Sequence, residues 1–452
     1  MSCLGVTEIE CTMARLCVTY LFLQLHQGQL SYSSVQRHGH VSSQRQPQSS
    51  IESGKFFRYC AEHWASHLQD NIRSINSNFM SQILWLYRID ELPCGSWFPY
   101  MWRAMEPYQD VPKTCVQHVV AMSGHTIVLA KIWSLAAFAV DERDSTNRTA
   151  LHWAAEKGHS ALTQWLLDKG ADVNAQGGLY GTALHAASYS GHTKLVIMLL
   201  KHGADVNARG GRYDSALRAA LFKDHEEVLR VLLENGADVN AQGGEYGSAL
   251  QAASYEGHEQ IVQLLLENGA DVNAQGGIYN SALRAASYKG YEQVVQLLLE
   301  NGANVNTQGG KYGSALQAAV HTKGNDQVVQ MLLNYDAEVN TRGGKRRSAL
   351  YKASASGYNK MVKLLLDSGA DIDAQEGKDG NALQAAIEEG HELVVQVLLD
   401  YSADVNAPGG RYGTALQVAT ARGQKKILQM LLDKKVDINA PGAETEVYVH
   451  AL

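Results

Sequence analysis

The chain has 452 residues, of which 45% are apolar and 19% charged, with a formal net charge of −7. That apolar content is enough for a large core and argues against disorder over most of the chain. Residues 1–115 hold nine basic and nine acidic side chains while residues 116–452 hold 30 against 37; a general polyanion binder needs a surplus of Lys and Arg, and this chain lacks one.

The N-terminal 115 residues hold all six cysteines, four Trp and five of the seven prolines. Cys3, Cys11, Cys17, Cys60, Cys94 and Cys115 have no CxxC spacing, so neither a zinc knuckle nor a thioredoxin motif is present. They read as reduced thiols of an intracellular protein. No secretory leader is expected, because the first charges are Glu8 and Glu10 and the apolar run at 21–23 is short. Residues 14–25 fit one apolar helix. Residues 31–52, rich in Ser, Gln and His, fit a loop. Residues 56–68 place Phe57, Cys60, Ala61, Trp64 and His67 at helical spacing. His63 and His67 share that helix, but without a third ligand nearby they read as a structural pair rather than a metal site.

Residues 119–140 are apolar and long enough to cross a bilayer. Lys131 near their centre costs roughly 2.5–3.5 kcal/mol on insertion scales, and Ser123, Gly124 and His125 break the run. No membrane span is expected.

From Thr149 onward the chain repeats itself. Ala-Leu pairs end at Leu151, Leu184, Leu217, Leu250, Leu283, Leu316, Leu350, Leu383 and Leu416. The step is 33 residues seven times and 34 once, the extra residue lying within 321–325. Each pair follows a helix-capping residue: Thr149, Thr182, Ser215, Ser248, Ser281, Ser314, Ser348, Asn381 or Thr414. Gln251, Gln317, Gln384 and Gln417 complete capping boxes. Small residues such as Ala252 and Ala253 let neighbours approach, and a Gly such as Gly257 closes this first helix. The second helix is amphipathic, with Ile261, Val262, Leu264, Leu265 and Leu266 as its apolar stripe in the fourth unit. It closes on Gly in many units, but on Asp336, Ser402 and Lys435 in the sixth, eighth and ninth. A segment of the type ADVNAQGG, at 237–244, then forms an extended finger. Such units bury their apolar faces only by stacking.

The stretch RTALHWAA at 148–155, with Gly158 and His159, resembles the ankyrin-repeat signature. The resemblance runs from Thr149 to about Asn439 and departs only in having Ala where the family has Pro. It implies an all-α fold: an ankyrin-repeat solenoid of helix–turn–helix units with extended fingers, behind a smaller helical region. The domains expected are a helical region at 1–115, a degenerate first repeat at 116–148, nine repeats at 149–440 and a truncated tail at 441–452. MARLCVTYL at 13–21 and FRYCAEHWASHL at 57–68 also resemble segments that precede the repeat array in fungal NACHT–ankyrin proteins of the NOD-like receptor type. That family carries a P-loop NTPase, whereas no GxxxxGK[ST] occurs here; the sensor end without the motor is implied.

No GxSxG elbow, kinase signature or paired-carboxylate motif occurs, so no enzyme, cofactor or resident metal is expected. His159, His192, His258 and His391 recur at one repeat position and read as turn contacts, as do the Asp residues of ADVN. The informative positions vary within a fixed frame. Before the helix-closing turn stand Tyr189, Phe222, Tyr255, Tyr288 and His321. The fingers carry Tyr180, Tyr213, Tyr246, Tyr279 and Tyr312, then Arg346 with Arg347. These are the candidate partner contacts, since aromatics dominate interface hot spots. The alternative for the finger set is stacking between neighbouring repeats. Arg342, Lys345, Arg346 and Arg347 form a basic knot that reads as a nuclear signal or, better in a net-negative array, a patch for an acidic partner.

The function expected is a non-enzymatic protein–protein interaction scaffold, the recognition array of a NOD-like-receptor-type signalling protein; the alternatives are a free-standing adaptor or inhibitor and, far behind, an enzyme with chemistry in residues 1–115. The partners expected are proteins, not nucleic acid or membrane, in the cytoplasm or nucleus. Ile427, Leu428, Met430, Leu431 and Leu432 keep the last unit apolar, which predicts self-association through an uncapped end.

Overall fold

The computed structural model of the protein describes residues 17–19, 21, 60, 63, 77–87, 98–99, 101–103, 116–135, 139–342, 347–376, 380–410, 413–434 and 436–438. Nine helix pairs follow the predicted frame, from Ala150–Lys157 with Ser160–Asp168 to Ala415–Ala421 with Lys425–Leu432. Among the described residues there is no strand; the fingers close through isolated antiparallel bridges such as Gly177 with Gly181 and Gly243 with Gly247. This is the all-helical repeat stack that the sequence predicts. Every first helix starts on its expected Ser, Thr or Asn, and the four Gln capping boxes form. His152 and His185 form capping boxes too, which the Gln pattern alone does not reveal.

The chain divides into two compact units, residues 1–237 and 238–452. In the first, the upstream helices are joined to the early repeats by aromatic contacts. Trp102 meets Trp153 edge to face at 5.5 Å, and both are fully buried. Phe98 packs on Trp102, and the Tyr87 hydroxyl lies 2.7 Å from His125 Nδ1. The apolar stretch weighed as a membrane span is two helices, Val116–Ser123 and Thr126–Leu135, broken at Gly124, whose φ is +74°. Among the described residues, no helix is long and apolar enough to cross a membrane.

Three recurring contacts set the repeat spacing. The finger Asn bridges forward: Asn174 Nδ2 donates to Gly203 O at 3.0 Å, and its Oδ1 accepts from Asp205 N at 2.8 Å. In the second unit Asn240 does the same with Gly269 O and Asp271 N. The Asp two residues earlier shapes the turn, Asp172 Oδ1 accepting from Asn174 N at 2.9 Å. The His after the helix-closing Gly reaches back, His192 Nε2 to Glu156 O at 3.0 Å and His391 Nε2 to Ala355 O at 3.2 Å. That His explains its Gly: a Cβ on Gly158 would stand 2.7 Å from the His192 ring, and φ there is +85°. The periodic His residues are therefore turn contacts, as expected.

The sixth repeat absorbs its extra residue by shortening the first helix to Ala315–Ala319. Asn325 takes the place of the recurrent His and donates to Ser287 O and Ala319 O. In the fourth unit Ile261, Val262, Leu264 and Leu265 are buried, while Leu266, counted in the stripe, is only half-buried. Lys435 lies outside the described residues. Asp336 and Ser402 do hold left-handed backbone, at φ +61° and +66°. Asp336→Gly and Ser402→Gly should each relieve about 1 kcal/mol of that strain, without losing the bond from Asn306 Nδ2 to the Asp336 carbonyl. Slower amide exchange in helices Asp326–Asn334 and Glu392–Asp400 would register the gain; unchanged or faster exchange would show that the side chains contribute more than the strain.

Candidate functional site

Finger and first-helix aromatics alternate into ladders, one in each unit. In the first unit Tyr180 lies 4.7 Å from Tyr189, Tyr189 5.2 Å from Tyr213, and Tyr213 5.0 Å from Phe222. In the second, Tyr246 lies 4.9 Å from Tyr255, Tyr255 5.0 Å from Tyr279, and Tyr279 5.4 Å from Tyr288. Tyr288 continues to Tyr312 at 4.6 Å, and Tyr312 meets His321 edge-on at 4.8 Å. The repeat geometry produces this order. A finger places its Tyr beside the end of the helix that follows it, and the next finger covers the other face.

The structure thus gathers the ten predicted aromatic and His positions into two ladders, four in the first unit and six in the second. It also gives the finger tyrosines the stacking role held open as the alternative. The helix tyrosines, expected to be the freer set, are sandwiched just as closely. Ring faces are consequently filled by neighbours, and what stays accessible is the remaining part of the half-buried rings. Tyr279 is buried, the other tyrosines are half-buried, and Phe222 is 45% exposed. His321 is exposed. Arg347 places its guanidinium 5.2 Å from the Tyr351 ring; Arg346 lies outside the described residues.

Neighbouring tyrosines act on one another's hydroxyls along the ladders: Tyr189 on Tyr213, Tyr255 on Tyr279 and Tyr312 on Tyr288. Burial, then the neighbouring Tyr189, pushes the Tyr213 hydroxyl up to about 12; burial with the Tyr255 hydroxyl raises Tyr279, and burial with the Glu156 carboxylate raises Tyr180, so these three hydroxyls stay protonated at neutral pH. Cations decorate them. Lys223 lies 5.2 Å from the Tyr189 ring, Lys289 4.2 Å from Tyr255, and Lys311 5.3 Å from Tyr312.

Beneath the ladders sits a layer whose reach into the following finger the capping-box pattern does not show. In several repeats the residue three after the helix cap reaches into the next finger. His152 Nε2 meets Gly181 O at 3.0 Å, Gln251 Nε2 donates to Ala274 O at 3.0 Å, and Gln384 Nε2 donates to Gly413 O at 2.7 Å. Arg occupies this position twice. Arg218 pairs with Asp214 at 2.5 Å. Arg284, fully buried, donates Nη1 to the carbonyls of Gly309 and Gly313, while its Nε and Nη2 have no hydrogen-bond partner. Burial lowers its pKa to about 10, leaving it cationic at neutral pH. The signal was a charged residue at a capping-box position, invisible until the finger is placed over it. Among the described residues no cluster of His, Cys, Asp and Glu is arranged to hold a metal.

A family model described as "Ankyrin repeats (3 copies)" matches residues 177–243, 211–276, 282–376 and 350–441, and one described as "Ankyrin repeats (many copies)" matches 151–200. Two curated fungal proteins named palmitoyltransferase akr1 are similar over 59 residues: that of Emericella nidulans at 41% identity and that of Aspergillus oryzae at 37%. Each match covers 13% of this chain and 8% of the relative, so the chain spans under a tenth of their length. The crystal structure of the human ASB11 ankyrin repeat domain is 29% identical, with a TM-score of 0.43, over 48% of this chain and 96% of that one.

Proposed function

Because the chain belongs to the ankyrin-repeat family, whose fold is typically a non-enzymatic interaction module, we propose that it is a protein-binding scaffold whose partner contacts lie on the aromatic ladders. One observation carries this reading: the positions that vary within the repeat frame converge as aromatics on one side of each unit. Rigid aromatic rings offer contact area at low entropic cost, as hot spots require.

More finely, we read the chain as the recognition array of a NOD-like-receptor-type signalling protein, on the strength of the motifs at 13–21 and 57–68; a free-standing adaptor or inhibitor is the second reading. Val116–Ser123 and Thr126–Leu135 then serve as a degenerate first repeat packed on the repeat at Ala150–Lys157. The transferase activity in the two relatives' names belongs to those proteins, and the shared segment lies within the repeats. Leu432 and Ile438, both exposed, support self-association at the last repeat.

Replacing Tyr189, Phe222, Tyr255 and Tyr288 together with Ser should abolish capture of a partner from cell extract by the immobilised full chain, with native far-UV circular dichroism. Capture undiminished in the folded variant would overturn the proposal. Lost helicity would show that the four belong to the core and not to a docking edge.

A further inference from the structure

The second unit contains cations that no described carboxylate neutralises. Some exposed cations have acidic neighbours: Arg422 with Glu388 at 2.7 Å, Lys426 with Glu392 at 3.3 Å, Arg230 with Glu226 at 2.6 Å. Lys289, Lys311 and Lys352 form no ion pair with any described carboxylate. Lys352 and Lys311 both bear on His321: partial desolvation acts most strongly, and the two cations add to it in lowering its pKa. Lys311 also stands at the tip of the finger whose carbonyls, at Gly309 and Gly313, hold the buried Arg284.

Arg284 sharpens the point. Its equivalent in the third repeat, Arg218, has a built-in counter-ion in Asp214, which holds a left-handed φ of +63°. The fifth repeat has the same backbone, φ +61°, but with Asn280 in place of the Asp. A carboxylate is thus replaced by its neutral isostere directly beside a fully buried guanidinium. Uncompensated charge in a low-dielectric setting projects a positive potential outward and favours an anion placed over it.

We propose that repeats five to seven dock an acidic, extended segment of a partner protein, its carboxylates over Lys311, Lys352 and Lys289 and its backbone against the edges of Tyr288, Tyr312 and His321. This rests on the scaffold reading above and names its partner's chemistry. Single-stranded nucleic acid would be held instead by bases stacking on aromatic faces. Here those faces are already covered, with Tyr279 and Tyr312 parallel within 10° and Tyr288 4.6 Å from Tyr312.

The test uses the full chain and a fluorescein-labelled twelve-residue peptide of alternating Glu and Gly, read by anisotropy at low and moderate salt. Binding should be saturable and weakened by salt, and a Gln-for-Glu peptide should not bind. Lys311→Glu with Lys352→Glu should weaken binding by about tenfold or more, as reversal of contact charges does at acidic–basic interfaces. Lys426→Glu, remote and already paired, should leave it unchanged. Asn280→Asp supplies the missing counter-ion and should weaken binding severalfold while raising the thermal midpoint. The milder pair Lys311→Gln with Lys352→Gln gives the same direction should the reversal variant misfold. Equal loss with Lys426→Glu, no loss with the Lys311 and Lys352 pair, or tighter binding of oligothymidylate than of the peptide would each overturn the proposal. If the aromatic quadruple variant loses a captured partner while the Lys311 and Lys352 variants keep both partner and peptide, the scaffold stands and the acidic partner falls.

Discussion

Trp153→Ala should cost the first unit about 3–5 kcal/mol, the range for emptying a fully buried indole site. Three losses coincide there. The ring leaves Trp102, its edge-to-face partner at 5.5 Å. The indole N–H no longer donates to Asp144 Oδ2 at 2.8 Å. Arg148, with its guanidinium 4.0 Å from the ring, loses its cover. The distribution of the damage is the sharper observable. Because Trp102 and Phe98 precede the repeats and pack through Trp153, amide protection should fall in 98–103 as well as in Ala150–Lys157. Damage confined to the first repeat would mean that the upstream helices are stable without it. A change of a few tenths of a kcal/mol would mean that the site collapses around the loss.

That joint between upstream region and repeats could not be read from the sequence, and the reason is physical. Repeat contacts are local and periodic, so one spacing fixes many of them at once. Caps at Ser248 and Ser281, closing glycines at Gly257 and Gly290, and the leucine stripe each recur and corroborate one another. The contact of Trp102 with Trp153 occurs once and follows no period. Arg284 shows a second limit. The position three after the cap takes Gln or His, which close the capping box, and also Arg, which has no acceptor and does not close it. What further distinguishes them is the finger of the following repeat, a partner more than twenty residues away in the chain. The aromatic site was legible as a set of residues but not as an arrangement. Sequence placed Tyr180 and Tyr189 on a finger and a helix; only the fold shows that they fill each other's faces.

The other large effect expected is a loss of stability in mild acid, centred on the first unit. His152 and His185 are almost completely buried, and burial lowers both from 6.5 to about 4. Their hydrogen bonds leave a second proton only the cap hydroxyl, Thr149 Oγ1 at 2.9 Å or Thr182 Oγ1 at 2.7 Å, and set it against the cap N–H. In His152, Nδ1 accepts from Thr149 N at 3.2 Å, and Nε2 faces Gly181 O at 3.0 Å. In His185, Nδ1 accepts from Thr182 N at 3.1 Å, and Nε2 faces Ala208 O at 3.1 Å. Each ring is therefore neutral with its proton on Nε2, and protonating Nδ1 would set two donors against each other. The charges around them, Arg148, Arg143 and Asp144 at His152, and Asp214, Arg218 and Asp205 at His185, are of both signs and secondary to burial. Since the unfolded rings take up protons near pH 6.5 and the folded ones only near 4, stability is complete above 6.5 and declines as pH falls between those values. The loss is on the order of 3 kcal/mol for each residue. Gln251, at the same repeat position, keeps the same two bonds without titrating, accepting from Ser248 N at 2.7 Å and donating to Ala274 O. The double variant His152→Gln with His185→Gln should therefore match the native chain in thermal midpoint near pH 8 and exceed it near pH 4.5. Midpoint-against-pH curves that stay parallel for the two proteins would mean that the acid sensitivity lies elsewhere, with Asp144 next in line: burial works to raise its pKa, but the bonds from Thr146, Arg148 N–H and Trp153 outweigh burial and hold it low, which adds its own loss only at still lower pH.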